Sequence, residues 1–372
     1  MIYLDSAATS FIKPDSVQYA MVKAMQNCAS PGRGGHHQAM LAAQECFSCR
    51  ENAAKLFNAP NSENIVFTFN ATHALNIAIG SLVSEGTRVA VSGYEHNSVM
   101  RPLRARGAEI TVVATPVFEP EVFLHELAAV LPRVQVVVCT HISNVFGYVL
   151  PIREVSRLCR QYGKHLIIDA SQSAGLEKID AAALSADFIA APGHKALLGP
   201  QGTGILICKN EAKPLLYGGS GTDSRLIGMP EYLPDKLEAG THNVPGIAGL
   251  NAGIRYILSY PQEYSAERER RLLDIFCTGI EGAKLKLFRS AQAHNQSGVL
   301  SVVPGNMPCE VYADKLSAAG ISVRAGLHCA PLAHETAATL QTGTVRFSFS
   351  PLLGEDEVLE AAEIVKKLSF TA

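Results

Sequence analysis

Cys329 stands in the stretch RAGLHCAP, Arg324 to Pro331, with an arginine and a histidine close by. A thiol beside cationic groups is a candidate nucleophile, because neighbouring positive charge favours the thiolate. A free cysteine is as readily a small buried hydrophobe, so the stretch gains meaning only from what the rest of the chain can bring to it. In HLIIDASQSAG an apolar run ends at Asp169, and the next run, DFIAAPGHK, ends in a turn that delivers Lys195. If these are neighbouring strands, a carboxylate and an amine leave the same edge of a sheet. Such a pair can hold an aromatic aldehyde: the lysine forms a Schiff base and the acid keeps a pyridine nitrogen protonated. Pyridoxal phosphate fits this pair, although a surface ion pair explains the same two residues.

Three further stretches point the same way. In FTFNATHALNIAIG a strand runs into a helix through Asn70, Ala71 and Thr72, where free N–H groups and a hydroxyl suit a phosphate. An ordinary N-cap would look alike. In SGYEHNSVMRPL, His96 follows a strand and offers a flat ring for stacking, with a hydrogen-bonded core histidine as the alternative. In THISNVFGYVLPI, Asn144 follows VQVVVCTH and can donate to a phenolate-like oxygen. Placed at successive strand ends of one sheet, these residues describe a single pocket.

The elements that must position them are legible as pattern. From about residue 15 to 210 the runs NIVFTF, TRVAVS, EITVVA, VQVVVCTH, HLIIDAS, DFIAAP and GILICK alternate with helical stretches. This predicts an α/β fold with a mostly parallel, seven-stranded sheet. The large domain is expected over 15–245, and a small α+β domain carrying the cysteine loop over 246–372, joined by 1–14. The charged stretch YSAERERRLLDIFCTGIEGA reads as a helix with a solvated face.

A chain of 372 residues, 47% hydrophobic and 18% charged, can bury a substantial core. Its net charge of −2 supplies no single-sign field for nucleic acid or an anionic membrane, so small molecules are the expected partners. No apolar run reaches the ~18 residues of a membrane span, and MIYLDSAATSF is not a signal peptide, which predicts a cytoplasmic protein. Nine scattered cysteines read as reduced thiols. Cys46 and Cys49 lie within one helical segment, with no second pair at matching spacing to form a metal site.

Taken in order, YLDSAAT, NATHALN, EHNS, HISNVFG, IDASQS, GHK with GPQGTGIL, EAGTHN, and RAGLHCAP with TVRFSFS resemble the class V aminotransferase family of pyridoxal-phosphate enzymes. The chain is most similar to the cysteine desulfurases of the SUF-type and cysteine-sulfinate-desulfinase-like branch, which overlap with selenocysteine lyases. The resemblance runs nearly end to end. It implies the fold type I architecture, pyridoxal 5'-phosphate as cofactor and a homodimer.

It also implies roles. Lys195 would carry the cofactor, with His194 orienting it or binding phosphate. Asp169 would pair with the pyridinium nitrogen, Gln172 with the phenolic oxygen, and His96 would stack on the ring. Ala71 and Thr72 would hold the phosphate, and Thr241 would reach the phosphate of the neighbouring subunit. Asn144 and Arg346 would bind the substrate carboxylate, Arg324 would line the entrance, and Arg33 and His36 would complete the substrate contacts. Cys329 would take sulfur from L-cysteine and pass it to an acceptor protein or thiol, with Arg324 and His328 favouring its thiolate. Two positions depart from the family pattern: Pro192 stands where a phosphate-binding serine is usual, and Gly32 where a histidine is common. Alternatives on the same cofactor are a selenocysteine lyase, a C–S lyase or an aminotransferase, and a catalytically silent scaffold is the alternative of another class.

Overall fold

The computed structural model describes residues 1–31, 34–209, 212–222, 225–261 and 264–370. The chain begins with a short strand β1 (Ile2–Tyr3) and two helices, α1 (Asp15–Asn27) and α2 (His37–Phe57). Strand and helix then alternate: β2 (Ile65–Thr68), α3 (Ala71–Leu82), β3 (Arg88–Ser92), α4 (Asn97–Ala105), β4 (Glu109–Val113), α5 (Pro120–Val130), β5 (Val136–Thr140), α6 (Ile152–Gln161) and β6 (His165–Asp169). Two further strands, β7 (Phe188–Pro192) and β8 (Gly204–Cys208), complete the set of seven apolar runs.

These seven form one sheet in the order β2-β8-β7-β6-β5-β3-β4, in which β8 alone runs against its neighbours. Strands β5, β7 and β8 are buried at every residue. Their runs do not alternate with polar residues because both faces are covered. Val137, Cys139, Ile168 and Ile189 face one apolar cluster, while Val136, Val138, Ile167 and Phe188 face another, as the two-residue repeat of a strand requires. The parallel strands β3, β5, β6 and β7 therefore end along one edge, and the strand order reverses beside β3, where the chain leaves for β4 and returns to β5. Open α/β sheets bind ligands at such an edge.

The helix α7 (Val244–Ser259) buries Ile247, Leu250, Ile254 and Ile257 in the first of those clusters and packs on α1 and α2. The change of packing thus falls near residue 260, later than the change of sequence pattern at 245. Beyond it come α8 (Ala266–Gly279), β9 (Leu285–Phe288), β10 (Val299–Pro304), α9 (Cys309–Ala318), β11 (Ile321–Ser322), β12 (Arg324–Gly326), α10 (Pro331–Thr336), β13 (Thr344–Ser348) and α11 (Glu355–Leu368). An antiparallel sheet β12-β13-β10-β9 packs a separate core that includes Leu272, Phe276, Leu316, Phe347 and Val365. The N-terminus enters that core through Ile2 and Leu4, and β1 pairs in parallel with β11.

One expectation needs correction. The charged stretch of α8 is not wholly solvated: Glu269 is 7% exposed, and its Oε2 accepts a hydrogen bond from the Gly298 N–H at 2.9 Å. A backbone donor 29 residues away supplies what the local sequence could not reveal. Among the described residues no helix is long and apolar enough to cross a membrane.

Phe276 has its ring 5.0 Å from that of Phe347 and 5.2 Å from that of Phe349. Phe276→Ala should therefore destabilise the protein by about 3–5 kcal/mol, the usual cost of a large buried aromatic. Urea unfolding measures this, and a loss below about 1 kcal/mol would contradict the packing described.

Candidate active site

The pocket is built where strands give way to helices. After β2, Asn70 is extended and its side chain accepts from the His73 N–H at 2.9 Å, which starts α3. The first-turn N–H groups of Ala71 and Thr72 have no intrahelical acceptor and are free for an anion. After β3, His96 caps α4: its Nδ1 accepts from the Ser98 N–H at 3.0 Å. That bond leaves the ring proton on Nε2. Burial, opposed by the nearby Asp169, pushes His96 down to about 4, so the ring is neutral at physiological pH.

Asp169 closes β6 beside Thr140 of β5 and Ala190 of β7. It is 2% exposed and accepts from both the N–H (2.9 Å) and the hydroxyl (2.5 Å) of Ser171. Lys195 follows β7 through the turn Gly193–His194. The N-terminal segment clamps this turn, since the His194 carbonyl accepts from the Ser10 N–H and from the hydroxyls of Thr9 and Ser10, each at 3.0 Å. The His194 ring meets the Thr9 hydroxyl at 3.0 Å, and burial pushes this histidine also down to about 4. Burial brings Lys195 down to about 8; Asp169 opposes the shift, whereas Arg346 and Arg324 add to it. A substantial fraction of the amine is therefore unprotonated near neutral pH, as a Schiff-base former or a general base requires.

The small sheet brings the second wall. Arg324 of β12 lies directly across from Arg346 of β13. Like charges in that register repel, so both sites favour an anion between or beside them. Arg346 is 1% exposed and donates to the Asn144 carbonyl (2.9 Å) and to the Asp5 carboxylate (2.7 Å). Its buried Nε has no hydrogen-bond partner among the described residues. The Asn144 side chain donates to the His328 carbonyl at 2.9 Å, and the Asn97 N–H to the Cys329 carbonyl at 2.9 Å.

These bonds hold His328 and Cys329 at φ +50° and +56°, two successive residues in the left-handed region that side chains disfavour. Cys329 is exposed there, while His328 is buried. The His328 Nε2 points to the Thr344 carbonyl at 3.2 Å and must be the protonated nitrogen. Burial, with Arg346, His334 and Arg324, pushes His328 well below the usual imidazole range. It is neutral and cannot supply the positive charge near Cys329 that its position in the sequence suggested; Arg324 and Arg346 are the cations there.

One cavity of about 210 Å³ is lined by Ala71, Thr72, His96, Asn144, Asp169, Gln172, His194, Lys195, Arg324, Cys329 and Arg346. Pro192, which has no N–H to offer, is in its wall too. Thr241 and His36 do not reach this cavity within one chain. Thr241 is exposed and borders a separate pocket beside Phe69 and His73, and His36 is exposed and caps α2. Arg33 lies outside the described residues. Sequence reasoning missed Ala7, Ala8, Ser98, Thr140, Ile142 and Ser171, which also line the cavity, and Asp5, which holds Arg346. The signal was present in YLDSAAT, whose residues reach the pocket only through long-range contacts with β13 and the Lys195 turn. Cys46 and Cys49 are buried in α2, where burial pushes Cys46 up to about 12 and Cys49 higher still; both are inert. Among the described residues no cluster of His, Cys, Asp or Glu could hold a metal ion.

The sheet, its strand-end pocket and the appended small unit define the fold type I class of pyridoxal-phosphate enzymes. The model of the family described as aminotransferase class-V matches residues 2–360, and the chain belongs to that family. A probable cysteine desulfurase of Methanothermobacter thermautotrophicus is 34% identical over 391 residues, covering 99% of this chain and 94% of the relative. A cysteine desulfurase of Salmonella agona is 31% identical, covering 89% and 84%. Among solved structures, the apo cysteine desulfurase of Thermococcus onnurineus superposes with a TM-score of 0.90 at 29% identity, covering 98% of this chain and 94% of that one. The cysteine desulfurase CsdA of Escherichia coli, in an S-sulfonic acid form, gives 0.84 at 27%, with the same coverage.

Pyridoxal 5'-phosphate is the cofactor of this family, and the residues present fit it. The free first-turn N–H groups of α3 suit its phosphate, the buried Asp169 its ring nitrogen, and the depressed Lys195 its aldehyde.

Only an unprotonated amine attacks an aldehyde. The rate at which cofactor-free protein captures pyridoxal phosphate should therefore rise with pH around a midpoint near 8. Asp169→Asn removes a charge that favours the ammonium form, so its midpoint should move to lower pH. A midpoint near the ordinary lysine value of 10.5 would contradict the burial described.

Proposed function

We propose that the protein is a cysteine desulfurase, converting L-cysteine to L-alanine and taking the sulfur onto Cys329 as a persulfide. The observation that carries this reading is the placement of an exposed Cys329, held in a left-handed turn by two large-sheet contacts, on the wall of the Lys195 cavity. The Arg346 Nε, without a partner among the described residues, suits the substrate carboxylate together with Asn144, and Arg324 stands at the mouth to guide it in. Thr72 and the α3 N–H groups, aided by His194, suit the phosphate in place of the family serine that Pro192 replaces. Gln172 and Asp169 are assigned to the ring oxygen and ring nitrogen, and the neutral His96 offers its flat face to the ring.

When bound, the cofactor withdraws electrons from the amino acid and so labilises its Cα–H and Cβ–S bonds. Lys195 takes the Cα proton and later returns one. The Cys329 thiolate attacks the substrate sulfur: an S–S bond forms, the Cβ–S bond breaks with its electron pair left on carbon, and protonation there yields alanine. The segment between β12 and α10 is only residues 327–330, and four residues extend by roughly 14 Å at most. A sulfur acceptor, whether a small protein or a thiol, must therefore come to the pocket.

Tyr217 and Ile227 are 77% and 106% exposed on the segment leading to Thr241. This supports a homodimer that covers them and carries Thr241 to the second subunit's phosphate. Among the described residues no disulfide is formed, which supports a reducing, cytoplasmic setting.

Alanine release from L-cysteine and from L-selenocysteine, in the wild type and in Cys329→Ala, tests the assignment. Activity on cysteine should be abolished by the substitution. Selenocysteine has the weaker bond and better leaving group, so activity on it should largely survive. Cysteine turnover that withstands Cys329→Ala would overturn the proposal.

A further inference from the structure

The segment that carries Thr241 is fastened by a buried ion cluster outside the Lys195 cavity. Arg50 projects from α2, on the face that also buries Cys46, Cys49 and Ala53, and is 9% exposed; Glu238 is 7% exposed. The two meet as a fork, in which Arg50 Nη1 donates to Glu238 Oε1 at 2.8 Å and Nη2 to Oε2 at 2.5 Å. The same carboxylate accepts from the Phe67 N–H of β2 at 2.6 Å and from His242 Nε2 at 2.5 Å. Arg50 also donates to the Ile65 carbonyl and lies 4.1 Å from the centre of the Phe67 ring. One carboxylate thus gathers α2, β2 and the segment before α7.

Burial alone would raise Glu238, but Arg50 and His242 outweigh it and hold the carboxyl below its usual range, so it stays ionised. Apolar residues of similar volume often replace a buried ion pair without loss of stability, so stability is a weak reason for such a cluster. Direction is a better one, because a two-bond fork fixes orientation as well as place. The bond between Glu238 and His242 closes a loop over Ala239, Gly240 and Thr241. Gly240 turns at φ +94°, a conformation open to glycine, and its N–H donates to the Gly219 carbonyl at 2.8 Å. After the loop, the Asn243 side chain accepts from the Gly246 N–H at 3.1 Å and starts α7. Thr241 stands exposed between these anchors, beside Phe69 and His73, where β2 passes into α3.

We propose that Arg50, Glu238 and His242 are positioning residues for the cofactor phosphate, holding the loop of Ala239 to Thr241 so that the Thr241 hydroxyl is presented to the phosphate bound by the second subunit. The inference rests on the reading of Thr241 as a phosphate contact across a homodimer. It gives the cluster a role although none of the three residues lines the Lys195 cavity. Pro192, in the wall of that cavity, has neither an N–H nor a hydroxyl to give, so the phosphate depends the more on a contact from outside the chain.

The test compares binding of pyridoxal phosphate with binding of pyridoxal, which lacks the phosphate, after the cofactor has been removed from the protein. Glu238→Gln should weaken pyridoxal phosphate binding severalfold, as far as Thr241→Ala does, and leave pyridoxal binding unchanged. The double variant should bind no more weakly than Thr241→Ala alone, because both changes remove one contact. His242→Ala keeps the Arg50 fork intact and should show the same selective loss, while His242→Gln, which retains a side-chain donor, should recover it. Equal losses for pyridoxal and pyridoxal phosphate, or losses that add in the double variant, would mark the cluster as merely structural and overturn the proposal. In mixed dimers of a Lys195→Ala subunit with an intact one, Glu238→Gln should speed cofactor loss only when the Lys195→Ala subunit carries it. Loss seen only when the intact subunit carries it overturns the proposal. Thr241→Ala separates the two readings: wild-type binding there means that the reading of Thr241 fails, whereas weak binding there with wild-type binding in Glu238→Gln and His242→Ala means that the positioning role alone fails.

Discussion

The site depends on one buried cation. Arg346 is in the middle of β13, almost wholly removed from solvent, and its two established partners come from elsewhere: the carbonyl of Asn144 after β5 and the carboxylate of Asp5 after β1. A charge so placed is tolerable only because it is paired, and removing one partner of such a pair typically costs about 3–5 kcal/mol. The interaction ties β13 of the small sheet to the segment after β5 of the large one. From it a chain of bonds continues through the Asn144 side chain to the His328 carbonyl, and so to the turn that exposes Cys329. Among the described residues the remaining nitrogen, the buried Nε, has no hydrogen-bond partner.

Around that cation, burial acts on bases in one direction. It lowers Lys195, His96, His194 and His328, leaving the imidazoles neutral and the amine poised. Positive charge in the pocket is thereby concentrated on the two arginines, which face each other across β12 and β13, and on the helix terminus at Ala71. The positive charge thus lies in two separate places, while the imidazoles of the pocket are neutral.

Much of this was legible in the sequence because strand ends are legible. Asp169, Lys195, His96 and Asn144 each follow a β-branched or small-residue run, and residues at the ends of parallel strands must meet at one edge. What stayed hidden depends on long-range contacts. Asp5, Ala7 and Ala8 reach the pocket because β1 pairs with β11 and the following segment lies along β13, and no local pattern announces that path. Glu269 looked solvated because charged neighbours surround it in sequence, whereas Gly298 lets it turn inward. His328 looked cationic because it adjoins Cys329, yet its burial under Thr344 and Arg346 makes it neutral. The packing of α7 with α1 and α2 was obscured by the polar segment before it, which shifts composition without shifting the core.

The most direct test is to mix the cofactor-loaded enzyme with one equivalent of L-cysteine, quench and digest it, and determine the mass of the peptide that carries Cys329. The account predicts one additional sulfur on Cys329 in amounts matching the alanine formed, with the other cysteines unmodified. Alanine formed in full while Cys329 stays an unmodified thiol and free sulfide appears in solution would contradict it.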